Sequence, residues 1–191
     1  MILWYCGKAK EKKLKNLINA ISLASTLHRD QKRLDTNATP YINHPIAVAK
    51  LLFEAGIHDE DILCSALLHD VVEDCAISIS DIGNMFNDCI AQIVDDVTDP
   101  VGLDGEDRKL AQIQKVKSIS YAGKLIKVAD KICNIRDVLD SPPNWSIEKK
   151  LKYFEFAQAV FNSANIDNLY LIEIFLNLMK KKQQIAWHYA Y

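Results

Sequence analysis

The middle of the chain holds a run, Ile62-Leu-Cys-Ser-Ala-Leu-Leu-His-Asp-Val-Val72, that is apolar nearly all the way round a helix. A helix of that kind is stable only when other elements enclose it. The segment, about residues 59–74, is therefore expected at the centre of the molecule. Glycine and proline, the strongest breakers, number only six and five in 191 residues. No segment alternates apolar and polar residues with period two. The expectation is all-α: a bundle of about eight to ten helices in one domain over residues 1–191.

The remaining helices follow from spacing and punctuation. Residues 10–29 carry Leu14, Leu17, Ile18, Ile21, Ala24, Ser25 and His28 at steps of three and four, which predicts an amphipathic helix. Residues 32–41 collect Asp, Asn, Thr and Pro and read as a loop. Pro45 suits a first helical turn, with Asn43 or His44 as cap and Gly56 as the stop. Shorter helices are expected near 79–86 and 88–97, then a loop over 99–106. Longer ones are expected near 107–117, 121–139, 146–163 and 166–184, with Pro142-Pro143 closing one of them.

Composition excludes several functions. With 23 basic and 25 acidic side chains the net charge is −2, so nothing draws the chain to nucleic acid in bulk. A polyanionic ligand would need a local basic pocket or a metal ion. Five scattered cysteines with no C-x-x-C pair fit neither a disulfide framework nor a zinc knuckle, and reduced thiols in a cytoplasmic protein are expected. The apolar start, Met1 to Cys6, is too short for a signal peptide, and no run approaches the ~18 apolar residues of a membrane span.

Chemistry concentrates where the central helix ends, in His69-Asp70-Val71-Val72-Glu73-Asp74. Asp70 and Asp74 are four apart, as are His69 and Glu73, so on one helix all four could line one side of a site. An isolated His-Asp pair is more often a helix emerging into solvent. Four such residues following an apolar run weaken that explanation, because buried charges need a partner or a metal. Carboxylates also sit badly at a helix C-terminus, and a bound cation would relieve that strain. His44 in Pro40-Tyr-Ile-Asn-His-Pro45 and Asp130 in the helix from Lys124 to Asn134 add two more candidate ligands, each with an ordinary explanation when taken alone.

The order H…HD…D resembles that of the HD superfamily of metal-dependent phosphohydrolases. The words PYINHP, ALLHDVVED, VTD at 97–99 and KLIKVADKICNIRD resemble the hydrolase domain of RelA/SpoT proteins. NWSIEKKLKYFEFA at 144–157 resembles a segment of the small single-domain alarmone hydrolases, the metazoan SpoT homologues. The resemblance spans about residues 17–175 and leaves 176–191 as an extension, whose tail after Lys180 is expected to pack on the core or on a second subunit.

The resemblance implies a ligand set of His44, His69, Asp70 and Asp130. Two nitrogens and two carboxylate oxygens suit one divalent ion such as Mn²⁺; His28, His58 and His188 lie in no second ligand motif. It implies that Glu73 orients or deprotonates the attacking water and that Asp74 holds the water network or accepts the proton. It implies substrate contacts from Lys32 and Arg33, from Asn134, and from Lys149 and Tyr153. The sequence departs from the family pattern at Leu34, Gly105, Cys133 and Lys149, where a second basic residue, a basic loop residue, a tyrosine and an arginine are usual.

The implied reaction is removal of the 3′-diphosphate from guanosine 3′,5′-bis(diphosphate), ppGpp, or from its pentaphosphate analogue, giving GDP or GTP and pyrophosphate. With no synthetase domain, the chain is expected only to degrade. A small nucleotide is the expected partner, with neither nucleic acid nor membrane, in a monomer or homodimer. Two alternatives stay open: an enzyme of the same chemistry with another substrate, such as the 2′-phosphate of NADPH, and a nucleotide-binding protein without catalysis.

Overall fold

The computed structural model describes residues 2–187, and side chains from Leu14 to Lys182. Ten helices occur among the described residues: α1 (Ile2–Leu27), α2 (Asn43–Glu54), α3 (Glu60–Leu67), α4 (Val71–Asp74), α5 (Ile79–Met85), α6 (Asp88–Val97), α7 (Gly105–Lys115), α8 (Tyr121–Asp140), α9 (Ile147–Ala164) and α10 (Leu169–Trp187). The fold is all-α. Its only β-type pairings among these residues are two isolated bridges, Lys32 with Pro40 and Asp35 with Pro143.

Local chemistry sets most boundaries. Asp59 caps α3 by accepting from the N–H groups of Asp61 and Ile62, Ser78 and Asp81 form a reciprocal capping box on α5, and Asn87 caps α6. Gly56 ends α2 at φ +83°, a conformation that favours glycine. Asn43 and His44 are not caps. Ile42 occupies that position, and both residues lie inside α2, which leaves the His44 ring free to turn inward.

The central segment does enclose itself in neighbours: α3 packs against α1, α2, α6 and α8. Its Leu63 and Ala66 join one core with Leu51, Leu52, Leu125, Ile132 and Phe154. Its Cys64 and Leu67 join a second with Ala20, Ala24, Ile82 and Ile90. Each fully buried leucine or isoleucine contributes ~1.5–3 kcal/mol by leaving water.

Three expectations change. First, 59–74 is not one helix. The chain leaves helical geometry at Leu68 (φ −106°, ψ 4°) and resumes it after Asp70. The carboxylates of Glu73 and Asp74 therefore lie in a separate single turn, of which Asp74 is the last residue. Second, α1 begins at Ile2 and buries Ala20 and Ala24 against α3. Leu14 and Ile18 are 60 % and 55 % exposed, because two alanines let the helices approach on a neighbouring face. Third, α10 runs through the basic tail, and the tail's side chains after Lys182 lie outside the described residues. No helix among the described residues is long and apolar enough to cross a membrane. Cys64, Cys75, Cys89 and Cys133 are free thiols.

Candidate functional site

The helix break is what builds the centre. Consecutive residues on an α-helix diverge by ~100°, so a continuous helix could not aim His69 and Asp70 at one point. In the break, His69 Nε2 stands 3.2 Å from Asp70 Oδ2. Asp70 itself has φ −102° and ψ −9°, in the sparsely populated bridge region. His44 from α2 and Asp130 from the middle of α8 complete the group. Asp130 Oδ1 lies 3.0 Å from His44 Nε2 and 3.9 Å from His69 Nε2, and Asp70 Oδ2 lies 4.0 Å from His44 Nε2. Adjacent donors around an ion with bonds of ~2.1 Å stand ~3.0 Å apart. Single donor atoms of His44, His69 and Asp130 all fall within 4.8 Å of one another.

This set could hold a divalent ion. His69 Nδ1 pairs with the Ala66 carbonyl at 2.8 Å, which places a proton there and turns Nε2 towards Asp70 and Asp130. That Nε2 is buried, and its 3.2 Å approach to Asp70 Oδ2 is not aligned as a hydrogen bond, a geometry in which one cation could be shared by the two atoms. Burial opposes charge on His69, but Asp70 and Asp130 more than offset it and raise its pKa to about 9. Burial dominates at His44 and pushes it below its ordinary value, against the pull of Asp130. Burial also opposes charge on Asp70 and Asp130. His69 and His44 still hold Asp70 below the usual carboxylate range, and Lys131 followed by the same imidazoles holds Asp130 well below it.

A ring of polar groups fixes the carboxylates. Tyr41 donates its hydroxyl to Asp70 Oδ2 at 2.7 Å. The Lys131 ammonium reaches Asp130 Oδ2 at 2.9 Å, and Asn134 donates to Asp130 Oδ1. Glu73 faces the same small cavity of about 150 Å³, whose walls carry Arg33, Arg108, Lys127 and Lys131 against Asp70, Glu73 and Asp130. Burial raises the Glu73 pKa, partly countered by Lys127. Asp74 is exposed at the rim and is not on that wall, and burial followed by the Asp70 charge raises its pKa too.

A second cavity of about 280 Å³ opens beside the first and shares Arg33, Tyr41 and Asn134 with it. Lys32, Leu34, Val138, Pro143, Trp145 and Tyr153 complete an amphipathic lining. Arg33 is held by Asp137 (2.7 Å) and Asn134, with its guanidinium 5.3 Å from the Tyr41 ring centre. A third, more open cavity of about 520 Å³ shares Trp145 and Tyr153 and carries Lys109, Lys149 and Lys152. There Lys149 lies 4.6 Å over Trp145. The residues singled out from the sequence as site residues thus line three neighbouring cavities, except His69, which is buried beside the first, and Asp74.

Sequence reasoning passed over Tyr41, Asp99, Arg108, Gln112, Lys127 and Lys131. Four of the polar residues of α8, at 127, 130, 131 and 134, follow i, i+3, i+4, i+7 spacing inside an apolar helix, which was the available signal. Arg108 had none, because α7 has no fully buried residue and sets only the half-buried Ile113 against the core.

Comparison with known proteins adds the family. The HD domain pattern matches residues 20–161. The human protein called guanosine-3′,5′-bis(diphosphate) 3′-pyrophosphohydrolase MESH1 is 39 % identical over 168 residues, 87 % of this chain and 94 % of that one. The Drosophila melanogaster protein of the same name is 40 % identical over 154 residues, 80 % of this chain and 83 % of that one. A solved structure described as a metazoan orthologue of SpoT that hydrolyses ppGpp superposes with a TM-score of 0.84 at 36 % identity, covering 87 % of this chain and 95 % of that one.

Proposed function

Since the chain belongs to the HD-domain family, we propose that it is a metal-dependent guanosine-3′,5′-bis(diphosphate) 3′-diphosphatase. It removes pyrophosphate from ppGpp, or from the pentaphosphate, and leaves GDP or GTP. The observation that carries this reading is the convergence of buried His44, His69 and Asp130 with Asp70, beside a cation-lined cavity that shares Arg33, Tyr41 and Asn134 with an amphipathic one. The named activity of the human and fly relatives supports it.

His44, His69, Asp70 and Asp130 would hold one ion, with Mn²⁺ the best match to two nitrogens and two carboxylate oxygens. When bound, the ion supplies Lewis acidity, acidifying a water and polarising a phosphoryl oxygen. Glu73 orients that water and takes its proton as the oxygen attacks phosphorus. The bond from phosphorus to O3′ breaks, pyrophosphate leaves, and O3′ acquires a proton. Asp74, at the rim, passes the proton towards solvent. Lys131 faces the diphosphate charge. Arg33, Lys32 and Asn134 bind the nucleoside in the amphipathic cavity. Lys149 and Tyr153 take the 5′-diphosphate in the open basic one. The protein would act in the cytoplasm as a monomer or homodimer of a single hydrolase domain.

The test is turnover of ppGpp by metal-stripped protein with and without Mn²⁺, read by anion-exchange chromatography, beside His69→Ala and beside NADPH as substrate. GDP and pyrophosphate formed only with metal, and lost in the variant, are expected. Release of phosphate from NADPH with ppGpp untouched would replace the substrate assignment. Tight ppGpp binding without turnover would replace catalysis by a binding role.

A further inference from the structure

Glu73 is gripped from outside the metal centre by a network that the reaction as described does not use. Its Oε1 accepts the Asp99 backbone N–H at 2.6 Å, and its Oε2 accepts from Arg108 Nη2. The same guanidinium donates through Nε to Asp99 Oδ2 at 2.6 Å, so one Arg108 fork joins the two carboxylates. Asp99 has a side chain 5 % exposed, and it is anchored further by the buried Lys127 ammonium at 3.1 Å and by Gln112.

The backbone of Asp99 is also fixed. It follows Thr98, where α6 ends, and Lys115 pins that end by donating to the carbonyls of Asp95 (2.7 Å) and Thr98 (2.6 Å). Glu73 is thus bound at both oxygens by groups that belong to the end of α6 and to α7, with α8 behind them. No bond from α4's own neighbours does this. α4 is a single turn, too short to hold a side chain in place by itself.

We propose that Asp99 and Arg108 are positioning residues that fix the Glu73 carboxylate towards the attacking water, with Lys127 as the charge that keeps Asp99 in place. The inference rests on the reading of Glu73 given above. A carboxylate held within ~0.5 Å of its working position loses far less to misalignment than a free one. A guanidinium is required, because Nε and Nη2 must serve two acceptors at once, which a lysine ammonium cannot reproduce from one fixed fork.

The experiment uses Arg108→Met and Arg108→Lys in the full chain. When Arg108 is removed, Asp99 keeps the Lys127 ammonium and Glu73 keeps the Asp99 N–H, so neither buried carboxylate loses every partner. With ppGpp and Mn²⁺, kcat is expected to fall roughly 10- to 100-fold in both variants, part of the ~10²–10⁴ that acid–base catalysis supplies. KM and bound manganese are expected to stay within about twofold of wild type, since a residue acting only through Glu73 changes neither. In a Glu73→Gln background, Arg108→Met should add no further loss.

Four results would each overturn the proposal. One is a raised KM with kcat intact, which would make Arg108 a phosphate contact. Another is full kcat in Arg108→Lys. A third is an undiminished effect in the Glu73→Gln background. The fourth is a crystal structure of Arg108→Met with Mn²⁺ in which Glu73 has not moved. That last measurement needs no turnover, so it decides the positioning role even if ppGpp proves not to be the substrate. Loss of activity in Arg108→Met together with full activity in Glu73→Gln would instead sink the role given to Glu73.

Discussion

Tyr41 illustrates how an uncharged side chain serves an acidic centre. Burial and then the Asp70 charge push its pKa far up, so the hydroxyl stays protonated and donates to Asp70 Oδ2 at 2.7 Å. A partner of that kind orients a ligating carboxylate, and its loss typically costs ~10–100-fold in metal affinity. Tyr41→Phe is expected to weaken Mn²⁺ binding by about that factor, read by metal titration, with little change in thermal stability of the metal-free protein. His69 carries a pH prediction. Its pKa rises from 6.5 to about 9 on folding without metal. Its contribution to stability is then fully present below about 6.5 and is lost as pH rises through about 9. Thermal melts of metal-free protein should fall across that window. Mn²⁺ takes the place of the proton, so saturating metal should flatten the dependence. An equal decline with Mn²⁺ bound would contradict His69 as a ligand. The candidate ligands were named through the family resemblance; from the residues alone only the His69–Asp74 cluster after an apolar run stood out, and His44 and Asp130 each had an ordinary explanation. Lys127 and Lys131 did not stand out, because a lysine looks like a solvated charge until its carboxylate partner is located, and those partners depend on how α8 meets the end of α6.

At the scale of elements, the stop at Gly56 and the prolines after α8 were legible; the caps and the decisive break were not, since the one expected cap, Asn43 or His44, lies inside α2. Ser78, Asn87, Ser120 and Ser146 each accept from a backbone N–H in the first turn of the helix that follows, as their residue types allow. Ser78→Ala removes one half of a capping box on an exposed turn and should lower unfolding stability by ~1 kcal/mol in urea titration, without touching kcat. The interruption at Leu68 to Asp70 carries no glycine or proline to announce it. It forms because the side chains of His69 and Asp70 converge and His69 reaches back to the Ala66 carbonyl, a tertiary demand overriding good helix formers. α7 is the opposite case. It was expected as a helix, yet it buries no residue and is held by Arg108, Gln112, Lys115 and a Lys109 ammonium 5.9 Å from the Phe156 ring centre. A helix whose apolar anchors are the half-buried Ile113 and, at its end, Val116 opens at lower free energy than a core helix. Its amides should therefore exchange with deuterium faster than those of α8, and Arg108→Met should speed them further.

For the whole molecule, the candidate ligands stand where the two cores meet. His44 comes from α2 and Asp130 from α8, both built into the larger core. His69 and Asp70 follow α3, which contributes to both cores, and precede Val71, which lies in the smaller one. The apolar centre recognised in the sequence is thus also the frame that brings three separate stretches of chain to one point. In the absence of a cation, that point holds two carboxylates and two imidazoles, whose charges only partly offset one another. An ion binding there joins α2, α3 and α8 and has no comparable site in the unfolded chain. At a free concentration of 100 times its dissociation constant it should add ~2.7 kcal/mol to stability, which for a chain of this size is a rise in Tm of roughly 5–11 °C. Differential scanning calorimetry with and without Mn²⁺ measures this. The shift should vanish in His69→Ala and survive in Arg108→Met, because the first removes a ligand and the second only a residue acting on Glu73. A shift that persists in His69→Ala would place the stabilising ion elsewhere, and the joining of the two cores through this centre would then fail as an account of how metal steadies the fold.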